Sequence, residues 1–291
     1  LSIFLPFEFS PFRFTGLQGL ASHGGAIGIL IAIWLYSRKK KPGQNYFQVV
    51  DRIVIVVALT GALIRLGNYF NSEIIGLPTD APVGVVFANP LSHALEDERF
   101  NPQDNIESVA FRKSDESIPG DTAVGRVPIS VYIFFKRGVQ EQEARNMIEL
   151  TVNNLLSNRL YEFFDEGSRP LDYEISQQDG AVAARIHTLG ISRHPAQLYE
   201  SISCVFLFIL LFAIWNHYKE KLPTGRLFGI FLIACFGLRI VYEFLKENQV
   251  SFEDQLPLNM GQILSIPLVV AGIFVLAYSY RKKDVQVPEK K

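Results

Sequence analysis

Apolar residues in this chain fall into blocks separated by polar stretches. Five blocks stand out, at Leu17–Tyr36, Ile53–Phe70, Leu198–Trp215, Leu227–Phe244 and Met260–Tyr280. Each extends to about 20 residues, the length that crosses a hydrocarbon core of roughly 30 Å as a helix. Between the second and third blocks the pattern changes. Val127–Phe135 is rich in β-branched and aromatic residues and predicts a strand. Glu141–Leu160 carries apolar residues at three- and four-residue spacing, the period of an amphipathic helix. Ala181–His187 reads as a second strand, and Asn101–Gly125 lacks a period and reads as a loop. The pattern therefore predicts an α-helical integral membrane protein of about five transmembrane helices, with an α+β module inserted between them. The expected segments are 1–88 and 191–291 for the membrane helices and 89–190 for the module.

Charge orients this arrangement. Arg38, Lys39, Lys40 and Lys41 follow the first block, Lys219, Lys221 and Arg226 lie between the third and fourth, and Arg281, Lys282 and Lys283 follow the fifth. Alternate crossings bring all three clusters to one side, which the positive-inside rule makes cytoplasmic. The module is then extracytoplasmic. Over the whole chain, 28 Lys and Arg balance 29 Asp and Glu, so no basic surplus speaks for nucleic acid. Cys204 and Cys235 lie inside apolar runs, away from any metal-ligand spacing, and no metal site is expected.

The chemistry lies in the polar residues that interrupt the apolar blocks. Arg65 comes thirteen residues after Arg52, and Arg239 thirteen after Arg226, each roughly 20 Å along its helix. His23 stands about 22 Å from Arg38, and Gln262 about 28 Å from Arg281. Glu243 follows Arg239 by one helical turn on the same face. A guanidinium at such depth costs about 2.5–3.5 kcal/mol even on the lenient insertion scale, so its presence points to a role. Two fixed guanidiniums suit a phosphate, whose oxygens their planar forks match. A phospholipid head group supplies one at that depth. Imidazole at His23, beside Gly24 and Gly25, is suited to proton transfer near neutral pH. The structural alternative is an Arg239–Glu243 bridge that only holds helices together. A rival from another class is a transporter or flippase that binds a phosphorylated solute or lipid through Arg65 and Arg239. Such folds are commonly built from repeated halves, and no repeat is visible.

Four motifs carry a resemblance. They are His23-Gly24-Gly25; Arg65-Leu66-Gly67-Asn68 through Asn71, Glu73 and Gly76; Arg193-His194-Pro195 with Gln197-Leu198-Tyr199-Glu200; and Arg239 with Glu243, followed by Met260-Gly261-Gln262. In this order they resemble the prolipoprotein diacylglyceryl transferase family of the bacterial inner membrane. The resemblance implies transfer of a diacylglyceryl group from phosphatidylglycerol to the lipobox cysteine thiol of a prolipoprotein. A thioether forms and glycerol phosphate leaves, with membrane lipids as surroundings and no cofactor. It implies catalytic roles for His23, Arg65 and Arg239. It implies substrate binding by Asn68, Asn71, Glu73, Gly76, His194, Gln197, Tyr199, Glu243 and Gln262. The chain begins at Leu1, and further family helices are expected ahead of His23. Cys235 stands where the family often has a tyrosine, so a role for that hydroxyl does not carry over.

Overall fold

The computed structural model describes residues 7–9, 12–14, 22–38, 45–116, 118, 122–166, 170–178, 180–246 and 258–281. The basic residues Lys39–Lys41, Lys282 and Lys283, used above for orientation, lie outside them, as do residues 247–257 and the start of the first apolar block. Strands β1 (Phe7–Phe9) and β2 (Phe12–Phe14) pair antiparallel near the start. The first long element is α1 (Ser22–Ser37). Helix α2 (Tyr46–Phe70) follows it.

The chain forms two compact units, each built from several separate segments. One comprises Leu1–Leu59, Phe206–Phe236 and Pro267–Lys291. It holds the first part of α2, most of α5 (Ala196–Tyr218), the start of α6 (Arg226–Glu243) and the end of α7 (Met260–Arg281). Val50, Val54, Ala58, Leu207, Leu211 and Leu227 form its core. A buried carboxylate fixes the entry to α6: Asp51 on α2 accepts from the backbone N–H groups of Gly225 at 2.6 Å and Phe228 at 2.8 Å. The N-terminal N–H groups of a helix have no partner within it, and an acceptor from a neighbouring helix satisfies them while favouring the local dipole.

Among the described residues three helices, α2, α5 and α7, are long and apolar enough to cross a membrane. Their outward surfaces are apolar. Leu63, Ile64, Phe206, Ile209, Ile273 and Phe274 are all exposed, the inverse of a water-soluble surface and the form suited to a lipid solvent. The described part of α1 has 16 residues. Helix α6 has 18, but Arg226, Arg239 and Glu243 lie within it.

The second unit comprises Thr60–Val205 and Gly237–Ile266. Its sheet runs β3 (Val85–Val86), β7 (Ala181–Arg193), β5 (Arg126–Phe135), β4 (Ile106–Lys113), with β6 (Asp172–Gln178) also on β7. All pairs are antiparallel. The helix α3 (Asn89–Glu96) buries Leu91 and Leu95. The helix α4 (Glu141–Asn146) continues with i→i+5 bonding through Met147–Val152 and Leu155–Arg159. Ala144, Ile148, Val152, Leu155 and Leu156 face inward along it, the stripe that the spacing predicts, and pack with Val131, Ile133 and Ile186 of the sheet.

Two expectations need correction. Asn101–Gly125 is not a loop throughout, because it contains β4. The charged, exposed positions Glu107, Arg112 and Lys113 mask an alternation in which Ile106, Val109 and Phe111 turn inward. The strand predicted at Ala181–His187 runs on to Arg193. It therefore ends against the Arg193-His194-Pro195 motif, and only two residues separate the sheet from α5.

Candidate active site

The residues after α2 turn sharply. Ser72 and Ile74 have φ of 58° and 55°. A β-branched residue in the left-handed region is a strained outlier, held only where its surroundings over-determine it. Those surroundings are a ladder of backbone bonds. Gly76 N–H donates to His194 O at 3.2 Å, His194 N–H to Leu77 O at 3.0 Å, and Leu77 N–H to Leu245 O at 2.9 Å. Three chain segments, following α2, preceding α5 and following α6, are thus joined through main chain. Gly76 permits the approach: a Cβ there would lie 2.9 Å from Leu245 O and 2.8 Å from His194 Cβ. Arg193 reinforces the joint, donating through Nη1 to Gly76 O at 3.1 Å and through Nε to Glu162 O at 2.8 Å.

Beside this joint lies a network of five charged side chains. Arg65 Nε meets Glu200 Oε2 at 2.5 Å. Glu200 Oε1 pairs with Lys246 Nζ, which also stands 3.4 Å from Glu243 Oε1. Arg239 Nε stands 3.5 Å from that same Glu243 oxygen. Three cations thus share two carboxylates, a surplus of one positive charge. Access is uneven: Arg65 and Arg239 keep 22% and 31% of their side-chain surface, whereas Lys246 keeps 3%. Part of each arginine side chain stays accessible, although Arg239 Nε is itself buried, and the ammonium is enclosed. Glu243 is held from the other side by Asn259 Nδ2 at 3.2 Å. Gly261 passes close beneath it, and a Cβ there would sit 2.6 Å from Oε1. Gln262 exchanges bonds with Asn259 at the start of α7 and donates to Ile240 O at 3.3 Å.

The remaining predicted residues cluster around the strained turn. Asn68, with its amide nitrogen donating, reaches Ile64 O and Glu73 Oε2, both at 3.3 Å. Asn71 N–H bonds Gly67 O at 3.0 Å. Gln197 Nε2 donates to Glu73 O at 2.5 Å, while its Oε1 is buried and accepts no hydrogen bond among the described residues. His194 Nδ1 lies 3.3 Å from Tyr199 Oη. The ring of Tyr199 stands 6.5 Å from that of Tyr242, whose hydroxyl bonds Ser203. Arg65, Asn68, Glu73, Gly76, His194, Gln197, Tyr199, Arg239, Glu243 and Gln262 all fall within the second unit. The backbone of His23 belongs to α1, and its side chain lies outside the described residues.

Two members of the network had no assigned role in the sequence. Glu200 closes the quoted motif Gln197-Leu198-Tyr199-Glu200 but carried no role of its own. Lys246 follows Glu243 by three residues, and the phase of α6 places it on the Glu243 side, which was the available signal.

Helices long and apolar enough to cross a membrane, together with a partly enclosed network of arginines, lysine and carboxylates, define a membrane protein with a charged site. The comparisons narrow the class. The prolipoprotein diacylglyceryl transferase family model matches residues 10–278, and the chain belongs to that family of transferases. It is 32% identical over 285 residues to a phosphatidylglycerol–prolipoprotein diacylglyceryl transferase of Bacteroides fragilis, covering 97% of this chain and 67% of that protein. A protein of the same name from Tolumonas auensis is 31% identical over 265 residues, 91% of this chain and 64% of the relative. That of Citrobacter koseri is 25% identical over 272 residues, 92% and 65%. The chain thus spans about two thirds of the length of these relatives. No solved structure matches it.

Proposed function

We propose that this chain transfers the diacylglyceryl group of phosphatidylglycerol to the lipobox cysteine of a prolipoprotein, the first step of lipoprotein maturation. The observation that carries the reading is the joining of Arg65 and Arg239, from separate helices, into one network with a positive surplus and partly accessible arginine side chains. The substrate sulfur attacks the glycerol carbon, the C–S bond forms, and the C–O bond to phosphate breaks with its electron pair. Arg65 and Arg239 stabilise the charge that gathers on the leaving phosphate, the main electrostatic demand of such a step. The thiolate is the nucleophile, so a base takes the thiol proton, and His23 is the assigned base. Asn68, Asn71, Glu73 and Gly76 shape the head-group side, with His194, Gln197, Tyr199, Glu243 and Gln262 around it. No residue in this scheme needs a metal or an organic cofactor. The transporter reading draws no support from membership in a transferase family.

In this reading α1, α2, α5, α6 and α7 all cross the inner membrane, and 89–190 forms an inserted extracytoplasmic module. Purified protein in mixed micelles with phosphatidylglycerol should shift a lipobox peptide by the mass of one diacylglyceryl group, stable to hydroxylamine. A peptide left unmodified, or a hydroxylamine-labile adduct, would overturn the activity. The topology has its own test. A single cysteine at exposed Asn154, in a chain lacking Cys204 and Cys235, should react with an impermeant maleimide in intact spheroplasts. Reaction only after lysis would place the module in the cytoplasm.

A further inference from the structure

Beyond the charged network, the second unit contains a cavity of about 500 Å³ between the segment after Gly76 and the far edge of the sheet. Its apolar walls include Pro82, Val86, Phe111, Val127 and Ile129. Arg112 and Lys113 stand on its rim, exposed and without an ion pair among the described residues. Asp80, also at the cavity, is committed to the backbone N–H of Gly125 at 2.7 Å. The free charge of the cavity is therefore positive.

Register places this cavity relative to the site. Val86 lies opposite Ser192, Val127 opposite Gly190, and Ile129 opposite Thr188 on β7. His194, in the ladder beside the arginine network, follows β7 directly. The cavity thus begins two residues from His194 and ends six residues away, roughly 20 Å at the rise of an extended strand. Its rim is also a free edge. Among the described residues β4 pairs only with β5, so the other edge of Phe111–Lys113 presents main-chain groups without a strand partner among them. Such an edge accepts an extended peptide as an added strand, with a pocket for alternate side chains. A lipid acyl chain has no groups to meet those of the edge.

We propose that the cavity and the adjoining edge of β4 bind the stretch of the protein substrate that follows the modified cysteine. An apolar side chain enters between Phe111, Val127 and Ile129, and an acidic side chain meets Arg112 and Lys113. The contact falls roughly six to eight residues past the cysteine, the number that an extended chain needs to cover the distance. This inference rests on the proposed transferase activity, and the test separates the two.

Two lipobox peptides are compared with the full chain in phosphatidylglycerol micelles. One ends three residues after the cysteine, and the other extends ten, with acidic and apolar residues from the sixth to the eighth. The longer peptide should show a KM at least about fivefold lower, with little change in kcat, the size of effect expected of a pair of exposed charges plus a small apolar contact. The double variant Arg112→Glu/Lys113→Glu should erase that advantage while leaving the short peptide unchanged. A long peptide with lysines in place of the acids should regain it in the variant. Benzoylphenylalanine at Phe111 should cross-link the long peptide and not the short one, a readout that needs no turnover. Equal KM values with no cross-link would overturn the peptide site. A variant that changes the KM of phosphatidylglycerol instead would assign the cavity to lipid and also overturn it. Cross-linking without transfer would leave the site standing and remove the activity.

Discussion

Arg65→Lys and Arg239→Lys proteins, folded and membrane-inserted, should transfer lipid at least about tenfold more slowly than the parent, equivalent to about 1.4 kcal/mol in the barrier. Lysine keeps the charge but loses the planar fork and its paired hydrogen bonds to phosphate. The geometry fixes the controls. The carboxylate against Arg65 is Glu200, at 2.5 Å, and that against Arg239 is Glu243, at 3.5 Å. If the arginines serve only to balance these carboxylates, the neutral pairs Arg65→Met/Glu200→Gln and Arg239→Met/Glu243→Gln should recover activity. If they hold phosphate, the neutral pairs stay inactive while remaining folded. Rates near that of the parent in both lysine variants would remove the phosphate clamp, as would rescue by the neutral pairs. Initial rates with a lipobox peptide, normalised to protein recovered from membranes, decide between them.

Lys246→Met should be more damaging to folding than to any single chemical step. Its ammonium is enclosed and stands between two buried carboxylates. Removing one partner from a buried charged group leaves the others uncompensated, at about 3–5 kcal/mol. Such a loss corresponds to a fall in thermal midpoint of roughly 6 °C or more. Lys246→Met combined with Glu200→Gln removes one charge of each sign and should recover much of the midpoint without recovering activity, since Arg65 then loses its orienting partner. A Lys246→Met protein that melts with the parent in detergent would show that the ammonium is not needed to hold the carboxylates together.

What could be read along the chain follows from how local each signal is. The positions of Arg65 and Arg239 are visible because an uncompensated charge in an apolar helix stands out in one dimension, and the helical rise converts spacing to depth. Their partners are not visible in this way. Glu200 lies far from Arg65 in sequence, in a motif with several polar residues of equal promise, and only the packing of α2 beside α5 selects it. Ser201 donating to Ala62 O at 2.9 Å records that packing. Lys246 falls just beyond α6, where a lysine ordinarily reaches water, and its burial depends on the Gly76–Leu77 segment lying against Leu245. The amphipathic stripe of α4 was legible because its period is strict. β4 was not, because an edge strand carries charge on its exposed positions and so reads like a loop.

The joint at Gly76 has a consequence for heredity. Its bonds run between peptide groups, which every residue except proline supplies alike, so the ladder does not depend on the side chains at Leu77, His194 or Leu245. Mutational drift can therefore recolour this seam while its course is kept, and His194 is released to be selected for what its ring does rather than for holding chains together. The exception is Gly76 itself, where the first carbon of any side chain would press on His194 Cβ at 2.8 Å and Leu245 O at 2.9 Å. One position thus bears a steric constraint that only glycine meets, and no change in the side chains at Leu77, His194 or Leu245 can make room for a Cβ against main-chain oxygen.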